Sequence, residues 1–246
     1  MSKKNFDIAI IGMAGRLPLA DNLDEFHQNL RNGVDSVRPL SEKRKRDTTL
    51  PDANYRLLGF IEDIDKFDYQ LFGLSKGEAV GMDPNLRLAL IMAFQAIENG
   101  GYNYHHLNES ETGVYYSSPE FEYWQHLEEI TGTSLLGSHS GVAPGYISRF
   151  FNLFGPSINL NTACSSSLTS LHYACKDLWL GEVDHALVVS TNLSIFPFVQ
   201  DNLPNLGISA PDGKAKSYSA QADGTGGGEA VGAVFLKPLK EALEDG

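Results

Sequence analysis

The residues best suited to chemistry lie in one short stretch, 161–168, where Cys164 stands among small hydroxyl side chains. The pattern before it predicts a strand at 157–163, and the apolar spacing after it predicts a helix at 165–180. Cys164 is therefore expected where a strand ends and a helix begins. There the first backbone N–H groups lack intrahelical partners, and the helix dipole places partial positive charge beside the sulfur. Both effects favour the thiolate, which is the nucleophilic form of cysteine.

The same N–H groups could stabilise the oxyanion that forms when a thioester carbonyl is attacked. Small side chains on the helix would let another helix or a slender substrate arm approach; these are Ser165, Ser166, Ser167, Ser170 and Ala174. On position alone an alternative is equally open, since most free cysteines are small buried hydrophobic residues. Cys175 is predicted to be such a structural residue, on an apolar helix face shared with Leu168, Leu171 and Leu178.

Strands and helices alternate around this stretch. Short apolar runs predict strands at 8–11, 114–116, 186–189 and 234–236, the first of them buried on both faces. Capping residues and helical spacing predict helices that begin at Asn22 and Asp83 and end near Gly33 and Gly100. This order predicts an α/β architecture with a largely parallel sheet, in one structural unit over residues 1–246.

The charge balance argues against a nucleic-acid partner. The formal net charge is −12, from 19 basic and 31 acidic residues, and a field of that sign repels phosphate backbones. One basic cluster, residues 43–46, interrupts this excess of acidic residues. We predict that this cluster is a solvated loop, with a docking patch for an acidic partner as the alternative.

Nothing in the sequence indicates export or membrane insertion. No basic start followed by an apolar stretch suggests a secretion signal, and the longest apolar run, 88–94, is too short to span a bilayer. The two cysteines make neither a disulfide framework nor a zinc site. The sequence therefore predicts a cytoplasmic, reduced protein without a membrane span.

A specific resemblance rests on several motifs. The stretch TACSSSL at 162–168 resembles the active-site signature of polyketide ketosynthases. IAIIGMAGRLP at 8–18, MDP at 82–84, PDG at 211–213 and ADG at 222–224 resemble other landmarks of that family, so the matches cover nearly the whole chain. The three serines after the cysteine favour the polyketide branch over stand-alone fatty-acid ketosynthases.

The resemblance implies a thiolase-like fold with layers ordered α-β-α-β-α, of which residues 1–246 form mainly the first half, the N-terminal domain. It implies that Cys164 takes an acyl group from the phosphopantetheine of an acyl carrier protein. The acyl-enzyme then condenses with a malonyl-type extender, with loss of carbon dioxide. No directly bound cofactor or metal is implied, and a homodimer is expected for the complete enzyme.

The family also uses two histidines, in His-Gly-Thr-Gly-Thr and Gly-His motifs that do not occur here. The seven histidines present are His27, His105, His106, His126, His139, His172 and His185. His172 would lie roughly 12 Å along the helix from Cys164 at 1.5 Å per residue, too far for a direct proton relay. We therefore expect a packed or partnered structural histidine there, and a second half with the catalytic histidines that is missing or separate.

Smaller departures from the family pattern occur at Asn161, where Asp is usual, and at Ser219, where Asp usually follows the aromatic residue. Ala230 replaces a glycine, and Gly227 and Tyr146 stand where basic residues are common. The glycine-rich stretch 224–229 lacks the Lys-Ser/Thr ending of a P-loop. We interpret it as a tight backbone passage next to the active site.

Three functions remain open. The chain could be the acyl-accepting half of a condensing enzyme. It could instead be a module that tethers an acyl chain, or docks its carrier protein, without condensation. A cysteine-dependent thioester hydrolase is the third possibility.

Overall fold

The computed structural model describes residues 7–46, 48, 52–197 and 208–245. The strands are β1 (Ile8–Arg16), β2 (Val37–Arg38), β3 (Leu58–Gly59), β4 (Thr112–Ser117), β5 (Ser157–Asn159), β6 (His185–Asn192) and β7 (Ala230–Pro238). The α-helices are α1 (Leu23–Arg31), α2 (Glu42–Arg46), α3 (Lys76–Gly81), α4 (Pro84–Asn99), α5 (Gly132–Gly137), α6 (Ala143–Phe151), α7 (Ser166–Leu180) and α8 (Leu239–Asp245). Short 3-10 turns lie at Tyr104–Leu107, Tyr123–His126, Ser140–Val142 and Ala163–Ser165. Within these described ranges, no helix is long and apolar enough to cross a membrane.

Tertiary contacts divide the chain into two compact units. The first, here called the sheet unit, comprises Met1–Gly15, Asp65–Asn192 and Val231–Gly246. The second, here called the loop unit, comprises Arg16–Ile64 and Leu193–Ala230. That residues 1–246 act as one domain stays a prediction, and each unit is described by itself.

A five-stranded sheet in the order β1-β7-β6-β4-β5 organises the sheet unit. β4 is parallel to both of its neighbours, with Tyr116 opposite Asn159 of β5 and Val189 of β6. All six residues of β4 are buried, as expected for a strand covered on both faces. The predicted α/β architecture is confirmed, and its two described pairings at β4 are parallel as expected.

Helices cover both faces of this sheet. α7 packs on one face through a cluster that includes Tyr115, Val188 and Leu236. Ile158 of β5 joins that cluster, so its neighbour Ser157 faces the other way. On that face the hydroxyl groups of Ser157 and of Ser148 in α6 form a hydrogen bond at 3.0 Å. The unit therefore has three layers: α7, the sheet, and the layer that contains α6.

The predicted helix starts are confirmed. Asp83 Oδ1 accepts a hydrogen bond from the Asn85 backbone N–H at 2.8 Å, where Pro84 begins α4. Asn22 caps α1 in the same way. The prediction that the first strand is buried on both faces is wrong, because β1 ends the sheet order and Ile10 is 57% exposed.

The loop unit is held by a buried ion pair. The Arg44 guanidinium donates two hydrogen bonds to the Glu229 carboxylate, both at 3.0 Å. Glu229 also accepts from the backbone N–H groups of Ile61 at 2.7 Å and Ser194 at 2.8 Å. A buried charge is tolerable only when it is paired and its remaining hydrogen-bonding capacity is used, and this carboxylate meets both conditions.

This pair corrects our interpretation of the basic cluster 43–46 as a solvated loop. The cluster forms the helix α2, and Arg44 is buried. Lys43 pairs with Asp63, and Lys45 with Glu42 at 2.8 Å. Internal carboxylates therefore use three of the four cations, which also weakens the case for a docking patch.

His185 is an unpartnered titratable group in the sheet unit. Its ring stacks on Phe235 at 5.4 Å and meets the Tyr102 ring edge-on at 5.5 Å. Neither ring nitrogen has a hydrogen-bond partner in the described part of the chain. Burial, assisted by nearby Lys237, lowers the pKa of His185 to about 4.

Acid should therefore destabilise the protein through His185. The unfolded chain binds the proton near pH 6.5, whereas the folded state stays neutral until about pH 4. Stability due to the neutral ring is lost as the pH falls between these values. We expect a loss of roughly 2 kcal/mol from about pH 7 to about pH 4.5.

Urea unfolding at both pH values would measure this loss. His185→Phe should remove most of it, because a phenyl ring fills the same aromatic site without binding a proton. His27→Gln, at an exposed histidine of α1, is the matched control and should keep the wild-type pH dependence. Equal pH dependence in His185→Phe and wild type would contradict the assignment.

Candidate active site

Cys164 lies in a 3-10 turn between β5 and α7, and its side chain is exposed. The predicted position between a strand and a helix is confirmed. The strand is shorter than the predicted 157–163, since β5 ends at Asn159. The helix begins at Ser166, one residue later than predicted. The alternative that Cys164 is a small buried hydrophobic residue does not fit its exposure.

The backbone is sharply turned just before the cysteine. Ala163 has φ +56°, in the left-handed region that residues other than glycine seldom adopt. This conformation costs on the order of 1–2 kcal/mol for an alanine. Strained residues of this kind cluster at functional sites, where surrounding structure holds them in place. The left-handed Ala163 was not foreseen from the sequence, since no glycine or asparagine stands there.

Short side chains within the turn hold this conformation. Asn161 Oδ1 accepts from the Ala163 backbone N–H at 3.1 Å. The Ser166 hydroxyl accepts from the Thr162 N–H at 2.8 Å and donates to the Ala163 carbonyl at 2.7 Å. The Ser165 hydroxyl donates to the Thr162 carbonyl at 2.8 Å. These serines shape the turn around the sulfur, and an Asp at 161 could accept the same bond as Asn161.

α7 fixes the turn against the sheet. Leu171, Cys175 and Leu178 pack in the cluster beneath α7, which confirms most of the predicted apolar face. Leu168 is the exception at 71% exposed, because the cluster contacts begin one turn further along the helix. Of the small residues predicted to allow close approach, Ser170 and Ala174 are buried, whereas Ser165 and Ser167 are exposed.

The two cysteines differ as predicted. Cys175 is half-buried, and burial raises the pKa of its thiol above the usual value. A higher pKa leaves less thiolate at neutral pH. Cys175 is therefore the structural cysteine of α7, and Cys164 is the accessible one.

His172 lies two turns beyond Cys164 on α7 and is exposed, with its ring 5.6 Å from that of Tyr173. The expectation of a packed histidine is wrong, because His172 is exposed and its described ring contact is with the adjacent Tyr173. The hydrogen bonds described above form between residues within the Cys164 turn. Within the described ranges, no group of His, Cys, Asp and Glu residues is arranged to hold a metal ion.

The glycine-rich stretch 224–229 lies in the loop unit. A Cβ on Gly224 would fall 2.3 Å from the Ala210 nitrogen, and one on Gly226 would fall 2.6 Å from the Gly213 carbonyl oxygen. The predicted tight backbone passage is confirmed. Its expected place next to the active site stays a prediction. The ion pair of Glu229 with Arg44 was not foreseen, because the two residues are far apart in sequence.

Comparisons with known proteins agree on one family. Residues 5–242 match the model of the β-ketoacyl synthase N-terminal domain. Polyketide synthase PksL of Bacillus subtilis is 38% identical over 99% of this chain and 6% of its own length. The partially reducing polyketide synthase tpeA of Talaromyces stipitatus is 36% identical over 97% of this chain and 10% of its own.

Solved structures give the same result. The ketosynthase from module 6 of the bacillaene synthase of Bacillus subtilis 168 has a TM-score of 0.86 and 36% identity, covering 97% of this chain and 40% of that one. Ketosynthase twelve of the Bacillus amyloliquefaciens bacillaene synthase has a TM-score of 0.85 and 34% identity, covering 98% and 45%. The chain thus spans less than half of these ketosynthases. The predicted fold class and family resemblance are confirmed.

Selective alkylation should distinguish the two cysteines. We expect iodoacetamide at about pH 7.5 to modify Cys164 roughly tenfold or more faster than Cys175, because thiolate fraction and access control the rate. Intact mass followed over time would measure it. Cys175→Ala should keep the fast phase, and Cys164→Ala should lose it. Equal rates in the two variants would contradict the assignment.

Proposed function

The chain belongs to the β-ketoacyl synthase family, whose N-terminal domain it matches over residues 5–242, and on this premise we propose that Cys164 is its acyl-accepting nucleophile. The observation that carries the proposal is the exposed Cys164 on a strained turn at the start of α7. The resemblance of TACSSSL to the family's active-site signature supports the same assignment. Exposure supports access by a long, thin substrate arm.

The proposed first step is transfer of an acyl group from the phosphopantetheine arm of an acyl carrier protein. The Cys164 thiolate attacks the thioester carbonyl, and N–H groups at the start of α7 stabilise the oxyanion. The bond to the phosphopantetheine sulfur then breaks, and that sulfur leaves as the thiol after taking up a proton. The acyl group remains on Cys164 as a new thioester. The chain's own contribution is the nucleophile, its orientation and the electrostatics of the turn.

The proposed second step is decarboxylative condensation with a malonyl-type extender. This step needs electrophilic support for the departing carboxylate and the developing enolate. The family supplies it with histidines in two motifs, and neither motif occurs in the 246 residues. We propose that residues outside this sequence, in a second ketosynthase half, provide those groups.

Partner surfaces support this arrangement. β5 ends the sheet order, so it has an edge at which another strand can pair. α7 exposes Leu168, Trp179 and Leu180 on its outer surface. Exposed apolar groups on one helix are typical of a surface that another chain or domain covers. The proposed partners are the acyl carrier protein, the second ketosynthase half, and a second copy in the complete enzyme.

A module that accepts or docks a carrier-borne acyl chain without condensation is the second candidate. The exposed Cys164 supports it as well, because tethering an acyl chain needs the nucleophile alone. The two candidates share acyl transfer to Cys164 and differ in whether a carbon–carbon bond follows. Condensation is therefore the test that separates them.

Acylation by a thioester donor should occur at Cys164 and not at Cys175. Incubation with an acyl carrier protein loaded with a short acyl group should add one acyl mass to the wild type and to Cys175→Ala. Cys164→Ala should gain none, because its side chain offers no nucleophile. Intact-mass spectrometry measures all three. Equal labelling of both variants would reject Cys164 as the nucleophile.

The 246-residue chain alone should form no carbon–carbon bond, because it lacks both histidine motifs. Acylated chain supplied with malonyl-loaded carrier protein should give no β-keto product by mass spectrometry. Addition of a chain that carries the second-half motifs should restore product if the condensing function is correct. Continued absence of product, with Cys164 still acylated, would favour the tethering module. A β-keto product from the chain alone would refute the prediction.

A further inference from the structure

The sheet unit contains a cleft of about 320 Å³ that the acyl-transfer proposal does not use. The segment 70–74, helix α4 and helix α6 form its walls. Its lining residues are Gln70, Leu71, Phe72, Gly73, Leu74, Leu90, Tyr146, Arg149 and Phe150. None of them belongs to the Cys164 turn, and the volume lies at the lower end of the range for small-molecule sites.

One side of the cleft is aromatic and already packed. Phe72 is buried, and its ring lies 4.7 Å from that of Phe150 and 5.0 Å from that of Phe67. Leu90 of α4 is also buried. These contacts hold the aromatic wall in place without a ligand. A flat apolar group could therefore pack against it at little cost in ordering.

Three polar side chains also line the cleft. Tyr146 and Arg149 stand three residues apart on α6, so they share one face of the helix. Gln70 lines the cleft from the facing segment. None of these three forms a side-chain hydrogen bond in the described part of the chain. Polar groups beside an aromatic wall that form no hydrogen bond within the protein are available to a ligand.

The charge of the cleft favours an anion with a single carboxylate. Arg149 is the only cation among the lining residues. Glu78 lies near Tyr146 and Arg149, but Ser75 holds its carboxylate at the start of α3, with the Ser75 N–H at 2.8 Å. Tyr146 is neutral at ordinary pH, so Arg149 is the one cation that lines the cleft. A guanidinium pairs well with a planar carboxylate.

We propose that this cleft binds a small aromatic monocarboxylate. The ring packs on Phe72, Phe150 and Leu90. The carboxylate pairs with Arg149 and accepts a hydrogen bond from the Tyr146 hydroxyl. This site does not depend on the acyl-transfer function of Cys164.

Titration with 3-phenylpropionate, followed by ligand-observed NMR on the whole 246-residue chain, tests the site. The uncharged 3-phenylpropionamide has the same shape and should bind roughly tenfold more weakly, because it cannot form the ion pair. This comparison uses the unmodified protein and so does not depend on the folding of any variant. Equal binding of acid and amide, or no binding of the acid, would overturn the proposal.

Variants locate the site. Arg149→Gln should weaken 3-phenylpropionate binding about tenfold, and Tyr146→Phe by a few-fold. Arg149→Lys should keep part of the affinity, since it keeps the charge but loses the bidentate geometry. Lys240→Gln, at an exposed cation on α8, is the control and should leave binding unchanged. Unchanged binding in Arg149→Gln would place the ligand elsewhere and refute the assignment.

Discussion

The position of Cys164 depends on a short parallel pairing between β4 and β5. Only three residue pairs form it, with the Val114 N–H bonded to the Pro156 carbonyl at 2.7 Å and the Leu160 N–H to the Tyr116 carbonyl at 2.8 Å. Gly155 makes the approach possible, because a Cβ there would fall 2.5 Å from the Thr112 carbonyl. A buried strand and one glycine thus determine where the chain leaves the sheet and where the turn presents the sulfur.

The loop unit relies on a different interaction. Its described hydrophobic cluster is small, with Leu40, Tyr55 and Phe60 as the buried members. The buried pair of Arg44 and Glu229 joins α2 to the end of the glycine-rich stretch. Removal of either partner would leave a buried charge unpaired, a change that typically costs about 3–5 kcal/mol. The glycine-rich stretch therefore contributes close backbone packing and the hydrogen bonds of Glu229 to this unit.

The Cys164 turn and the α6 cleft use polar side chains in opposite ways. In the turn, the hydroxyls of Ser165 and Ser166 are used internally, so they support the backbone and leave the sulfur exposed. In the cleft, Tyr146 and Arg149 have no internal hydrogen-bond partner and face an aromatic wall. A satisfied network stabilises a conformation, whereas solvent-accessible polar groups beside apolar surface are available to a ligand.

The α/β pattern, the helix starts at Asn22 and Asp83, and the place of Cys164 between a strand and a helix follow from the amino-acid sequence. These are local properties, set by capping, turn and spacing rules that act over a few residues. Tertiary structure alone decided that Arg44 is buried against Glu229, that Ile10 lies exposed on an edge strand, and that Ala163 is left-handed. Each of these results depends on neighbours distant in the chain or on the balance of strain and packing. A local sequence pattern contains no information about distant neighbours or about that balance.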